Sequence, residues 1–154
     1  MKLVLSLFYL SYFALVGVHI MFMPVALEGL GYNKIEIGII YSTAPFMRFL
    51  LPFIFKYYIK LTHKIYIYAL FFTLISSILF TLSVHNFISY LFASLLFGAS
   101  MGVTLPFVET ISLQRLSKSI YGKIRMWGSV GFIIIALSLK WLSPLPLTTI
   151  YILV

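Results

Sequence analysis

Five apolar runs, each about as long as one bilayer-crossing helix and joined by short polar links, most constrain what this chain can fold into. They cover residues 4–27, 35–58, 65–84, 87–111 and 125–142, and a shorter run at 147–154 reads as the start of a sixth. A hydrocarbon core takes roughly 20 helical residues to cross, so each full run matches one passage. Within lipid a backbone must pair its own polar groups, which continuous apolar runs of this length do as helices. The expected fold is all-α: a polytopic membrane bundle of five complete transmembrane helices plus the start of a sixth. Composition agrees. The chain is 62% hydrophobic and 9% charged, against about 25% charged in an ordinary soluble domain, too little polar surface to cover a globule in water.

The charges mark topology. Eleven Lys and Arg stand against three Asp and Glu in the 154 residues, a net charge of +8. The cations cluster in the links and follow no single polar face, which excludes nucleic acid as the partner they serve. With a cytoplasmic amino terminus, Lys2, Lys56, Lys60, Lys64, Arg115, Lys118, Lys123 and Arg125 lie inside and only Lys34 and Lys140 outside, as the positive-inside rule asks. The first run exceeds the roughly 7–15 apolar residues of a signal peptide and reads as a retained span, ended by Pro24 and the glycines at 29 and 31. Residues 114–125 read as a charged link, and His85-Asn86 as a tight turn. With no cysteine, disulfides, thiol catalysis and thiolate metal sites are excluded. His19, His63 and His85 are too scattered for a metal motif. Paired acids and His/Asp clusters are lacking, so neither a cofactor nor an enzyme is expected.

An ionisable group inside a span costs about 2.5–3.5 kcal/mol on insertion scales and asks for a partner or a watery cavity. Glu109 is the only acid away from the Glu28–Glu36 link. Ser94, Gly98, Gly102 and Pro106 recur every four residues on one face of the fourth span, and Glu109 follows Gly102 by seven on nearly the same face. Small residues admit a close neighbour, so Gly98-x-x-x-Gly102 reads as a packing seam that delivers Glu109 to the bundle interior. There Glu109 serves either as a structural ion pair at the cytoplasmic edge or as a proton-binding group whose affinity burial and a nearby cation set. Arg48, in the second span, pairs with Glu109, binds an anionic solute through its planar fork, or snorkels to headgroups. His19 reads as a hydrogen-bonded structural residue or a proton carrier. Lys56, Lys60 and Lys64 follow a helical i, i+4, i+8 series and need be no more than a solvated edge.

The most distinctive stretch is Tyr121-Gly122-Lys123-Ile124-Arg125-Met126-Trp127-Gly128-Ser129-Val130-Gly131-Phe132. Physically it is a basic edge, an interfacial Trp and a Gly/Ser-rich turn, with Gly128 placed to pack tightly on a neighbour. It resembles the start of the fifth span in the major facilitator superfamily branch that contains 3-phenylpropionate permease and, more distantly, lactose and nucleoside proton symporters. Gly31 to Gly38, Arg48-Phe49 and Pro106-Phe107-Val108-Glu109 are similar to family segments in the same order. Residues 52–64 depart from the superfamily's Gly-x-x-x-Asp-Arg-x-Gly pattern, lacking its Gly and Asp.

The resemblance implies twelve spans in two halves with substrate between them, residues 1–154 supplying the amino-terminal half or a truncated fragment of it. It implies a secondary active transporter of a bacterial cytoplasmic (inner) membrane, coupling a proton to a small aromatic or carboxylated solute. Glu109, Arg48 and Arg125 are then the candidates for coupling or substrate contact. The partners are the solute, the proton, the lipid bilayer and a second transporter half. The alternative from the residues alone is a small, non-transporting accessory or assembly protein that associates through the Gly98/Gly102 seam.

Overall fold

A computed structural model describes residues 1–58 and 60–142; the run at 147–154, expected to open a sixth span, lies outside the described residues. Those residues form helices and no strand: α1 (Lys2–Gly17), a π turn (Val18–Phe22), α2 (Met23–Gly29), α3 (Lys34–Tyr57), α4 (His63–Leu82), α5 (Phe87–Arg115) and α6 (Lys118–Leu142). Five helical segments are long and apolar enough to cross a bilayer: Lys2–Gly29, Lys34–Tyr57, His63–Leu82, Phe87–Arg115 and Lys118–Ser138. The described residues are thus all-helical, with five segments of the length and composition of membrane spans.

Two local readings differ from the sequence expectation. Pro24 does not end the first span, which continues through α2 to Gly29. A proline lacks its own N–H, and its ring crowds the carbonyl four residues back, here that of Ile20. The π turn at Val18–Phe22 already gives up regular α bonding at that point, so both costs fall on a segment that has been opened for them. Termination comes from Gly31, whose φ of +93° lies in the left-handed region that glycine enters without a Cβ penalty. The second difference is the charged stretch 114–125, which is helical except at Leu116 and Ser117. Lys and Arg are good helix formers, and charge penalises a helix only inside hydrocarbon. The Ser117 carbonyl accepts from the amides of Ile120 and Tyr121 at 3.1 and 2.9 Å, opening α6 seven residues before its expected start.

Side-chain caps set the starts of α3 and α5. At α3, Asn33 Oδ1 accepts from the Glu36 amide and Glu36 Oε2 accepts from the Asn33 amide, both at 2.9 Å, a reciprocal capping box. At α5, Asn86 Oδ1 accepts from the Ser89 amide at 3.1 Å, so the tight turn supplies its own helix start.

The chain divides into two compact units. In Leu30–Thr110, α4 runs antiparallel to α5: Tyr66 stacks on Phe107 at 4.6 Å near one end, and Phe80 meets Tyr90 and Phe97 at 4.9 and 5.5 Å near the other. Tyr32 lies beside Tyr90, at 6.1 Å between ring centroids, and its hydroxyl donates to the Val84 carbonyl at 3.0 Å. Burial, with the Glu36 charge adding to it, holds that hydroxyl above the ordinary tyrosine range, so it stays protonated and able to donate. The other unit joins Met1–Gly29 to the described residues from Ile111 on. There α1 and α6 run in the same direction, with Phe13 at Gly128, Gly17 at Phe132 and Ile135, and Val18 and Phe22 packed with Ile135.

Candidate functional site

In the Leu30–Thr110 unit the Ser94/Gly98/Gly102 face of α5 lies on α3. A Cβ added to Gly98 would sit 2.8 Å from Ala44 Cα, and one on Gly102 would sit 2.7 Å from Leu51 Cδ1 and 3.7 Å from Arg48 Cγ. Ser94 Oγ is 2.7 Å from Thr43 Oγ1 and 3.2 Å from the Ile40 carbonyl, to which Thr43 itself donates at 2.7 Å. The contacts 40–94, 44–98 and 48–102 share an offset of 54, while 43–94 and 51–102 share 51. The two helices therefore run parallel in one fixed register, with the hydroxyl pair and the glycines along the seam.

That register places the charged residues. Arg48 is exposed, its aliphatic stem against Gly102. Glu109 is half-buried and stands seven residues further along α5, about 10 Å of helical rise. The same offsets set Glu109 level with residues 55–58 and put Arg48 level with Gly102. Glu109 thus belongs to the end of the unit that carries Lys56, and Arg48 lies two turns deeper in the span.

Arg125 belongs to the other unit. Its Nη1 donates to Tyr121 Oη at 3.1 Å, with the guanidinium carbon 5.9 Å from that ring's centroid. It borders a cleft of about 520 Å³ whose walls are Phe13, Val16, Ile20, Phe132 and Ile133, with Ser129 beside it. A fork of donors at the edge of an aromatic and aliphatic cleft is complementary to an amphipathic anion, because the guanidinium pairs with both oxygens of a carboxylate and the walls take an apolar body. Gly128 brings α6 onto α1 beside this cleft: a Cβ there would lie 2.5 Å from Phe13 Cδ2.

Some features of the site had no clear signal in the sequence. Gly131 packs on the Leu10 backbone more closely than Gly128 does on Phe13; the three-residue glycine spacing was its only signature. Gly17 meets Ile135 Cγ2, with 3.3 Å left for a Cβ. His19, singled out in the sequence, is buried, but the π turn that holds it was not foreseen. Thr43 hides among other hydroxyls until the register pairs it with Ser94. Among the described residues no group of three His, Cys, Asp or Glu could hold a metal ion.

The Thr43–Ser94 pair yields a measurable coupling. Hydroxyl bonds between membrane helices are worth about 0.6 kcal/mol on average and up to about 1.7. A Thr43→Val/Ser94→Ala double-mutant cycle, read by unfolding in a denaturing detergent, is expected to give a coupling energy in that range. A value of zero would show that the bond adds nothing to the seam.

The family described as MFS_1 like family matches residues 2–149, nearly the whole chain. No curated protein and no solved structure matches it.

Proposed function

The chain belongs to the MFS_1 like family, and from that premise we propose that it is the amino-terminal half of a proton-coupled symporter for a small aromatic or carboxylated solute. Membership together with five apolar spans supports a transporter-type integral membrane protein. The finer reading follows from the site. The Arg125 cleft supports the solute class, since its one cation stands at the edge of walls that are otherwise almost wholly apolar. Glu109, the half-buried carboxyl of α5, is the candidate for proton coupling in this reading. Arg48, exposed and deeper in the span, is the second candidate for contact with an anion. In this reading a second half completes the translocation path, the two halves rock about the bound solute, and the membrane is the bacterial cytoplasmic one.

The observation that carries the proposal is the placing of Arg125 on that cleft within a chain of this family. Trp127, two residues from Arg125, reports on the site. Titrating the purified Trp141→Phe chain, in which Trp127 is the one tryptophan left, with 3-phenylpropionate is expected to change Trp127 emission saturably, while the uncharged 3-phenylpropanamide changes it at least tenfold more weakly. Arg125→Gln is expected to remove the difference between the two compounds. Equal and non-saturable responses to both would overturn the solute assignment and favour a non-transporting accessory protein.

A further inference from the structure

We infer that the α3/α5 face of the Leu30–Thr110 unit holds an anionic phospholipid, with an acyl chain in an apolar groove and the headgroup on Lys56, Lys60 and Lys64. The groove, about 150 Å³, is walled by Leu51, Pro52, Phe55 and Leu61 on one side and by Val103 and Pro106 on the other. Pro52 and Pro106 are exposed at its lip, so it is open at the surface. A cavity lined by carbon offers water no partners and suits methylene groups.

The charges at one end of the groove decide which lipid. Lys56 follows Phe55 and Lys60 precedes Leu61, so two of the wall residues are each joined directly to an exposed lysine. His63 and Lys64 open α4 just beyond, also exposed. The acids of this unit are Glu36 and Glu109. Glu36 is tied into the Asn33 cap at the far end of α3. Glu109, half-buried on α5, leaves three lysines against one carboxylate at the groove's end. Depth agrees with charge. Tyr57 and Tyr58 are exposed, and Lys56 Nζ lies 5.0 Å from the Tyr57 ring centroid, which is the pairing of aromatics and cations found at headgroup level. A zwitterionic lipid gains little from this arrangement, whereas each lysine near an anionic surface strengthens binding about fivefold.

Native mass spectrometry of the full chain with phosphatidylglycerol, phosphatidylcholine and the water-soluble headgroup glycerophosphoglycerol tests the assignment. The wild type is expected to retain phosphatidylglycerol at least tenfold more tightly than either of the others. Lys56→Gln/Lys60→Gln/Lys64→Gln removes that preference, while Lys56→Arg/Lys60→Arg/Lys64→Arg keeps it. Val103→Phe fills the groove, leaves the lysines in place, and weakens phosphatidylglycerol at least fivefold. Equal retention of the two lipids overturns the proposal, as does headgroup binding as tight as lipid binding, or wild-type affinity in both the glutamine and the Val103 variants. Should the glutamine variant fail to fold, salt replaces it as the charge test: phosphatidylglycerol retention that does not fall as ionic strength rises rejects the lysines as its partners.

Discussion

Gly131→Ala is expected to loosen the α1/α6 pair by about 1–3 kcal/mol, the cost of overpacking a close-packed site, whereas Gly122→Ala on the same helix gains about 0.5–1 kcal/mol from helix propensity. What each Cβ meets decides the sign. At Gly131 it runs into the Leu10 carbonyl oxygen, with Leu10 C and Cα at 3.0 and 3.1 Å, and backbone cannot rotate away. At Gly122 nothing lies within 4 Å. Gly128→Ala falls between them, because its Cβ meets the Phe13 ring, which has a χ angle to give. Helix pairs in lipid rest on such close contact, since water drives little association there. The readout must be tertiary, because each span keeps its own backbone bonds when the pair separates. In a titration with sodium dodecyl sulfate, the Trp127 emission transition moves to lower detergent in Gly131→Ala while the far-ultraviolet circular dichroism stays level. Equal transitions for the two alanine variants would mean that α1 and α6 do not cross this closely in the membrane.

Glu109→Gln is expected to abolish the pH dependence of solute binding. If Glu109 takes up the coupled proton when solute binds, affinity falls as pH rises, approaching tenfold per unit where one proton is taken up with the solute. Glutamine keeps the shape and hydrogen-bonding capacity of the protonated acid and cannot release a proton. The variant is therefore expected to bind as tightly as the protonated wild type across the whole range, turning a slope of about one decade per unit into a flat line. Calorimetry in buffers of different ionisation enthalpy gives a second reading, with about one proton taken up per solute by the wild type and none by the variant. An unchanged slope in Glu109→Gln would remove Glu109 from the coupling role and leave it as a structural group at the span's end.

Most of the architecture was legible because lipid leaves a chain few options. A run of about 20 apolar residues has one common solution, and the helices Lys34–Tyr57 and His63–Leu82 begin and end within two residues of the expected limits. The readings that changed were those where a local signal was read without its neighbours. Pro24 forbids an α bond, but nothing in the composition of Val18 to Phe22 announces a π turn that accommodates it. The charges at 114–125 forbid burial but not a helix. The four-residue spacing from Ser94 to Gly102 revealed a face and left open which helix lies on it; partner and register come from Ala44, Thr43 and Leu51, three ordinary residues for a membrane helix. For the same reason Arg48 and Glu109, each recognisable alone as a charge inside an apolar run, could be placed two helical turns apart only once α3 had been laid along α5.

The π turn also bears on how the first span is to be compared with any other. It spends an extra residue without advancing the winding, so the segments Lys2–Gly17 and Met23–Gly29 are out of phase by about 100°, one residue's worth of rotation, relative to an uninterrupted α-helix. A helical wheel drawn through all 28 residues of the span puts Leu27 on the wrong bearing from Tyr9 and Tyr12. The span has two azimuths, one on each side of His19, and a deletion or insertion near that residue acts as a dial between them.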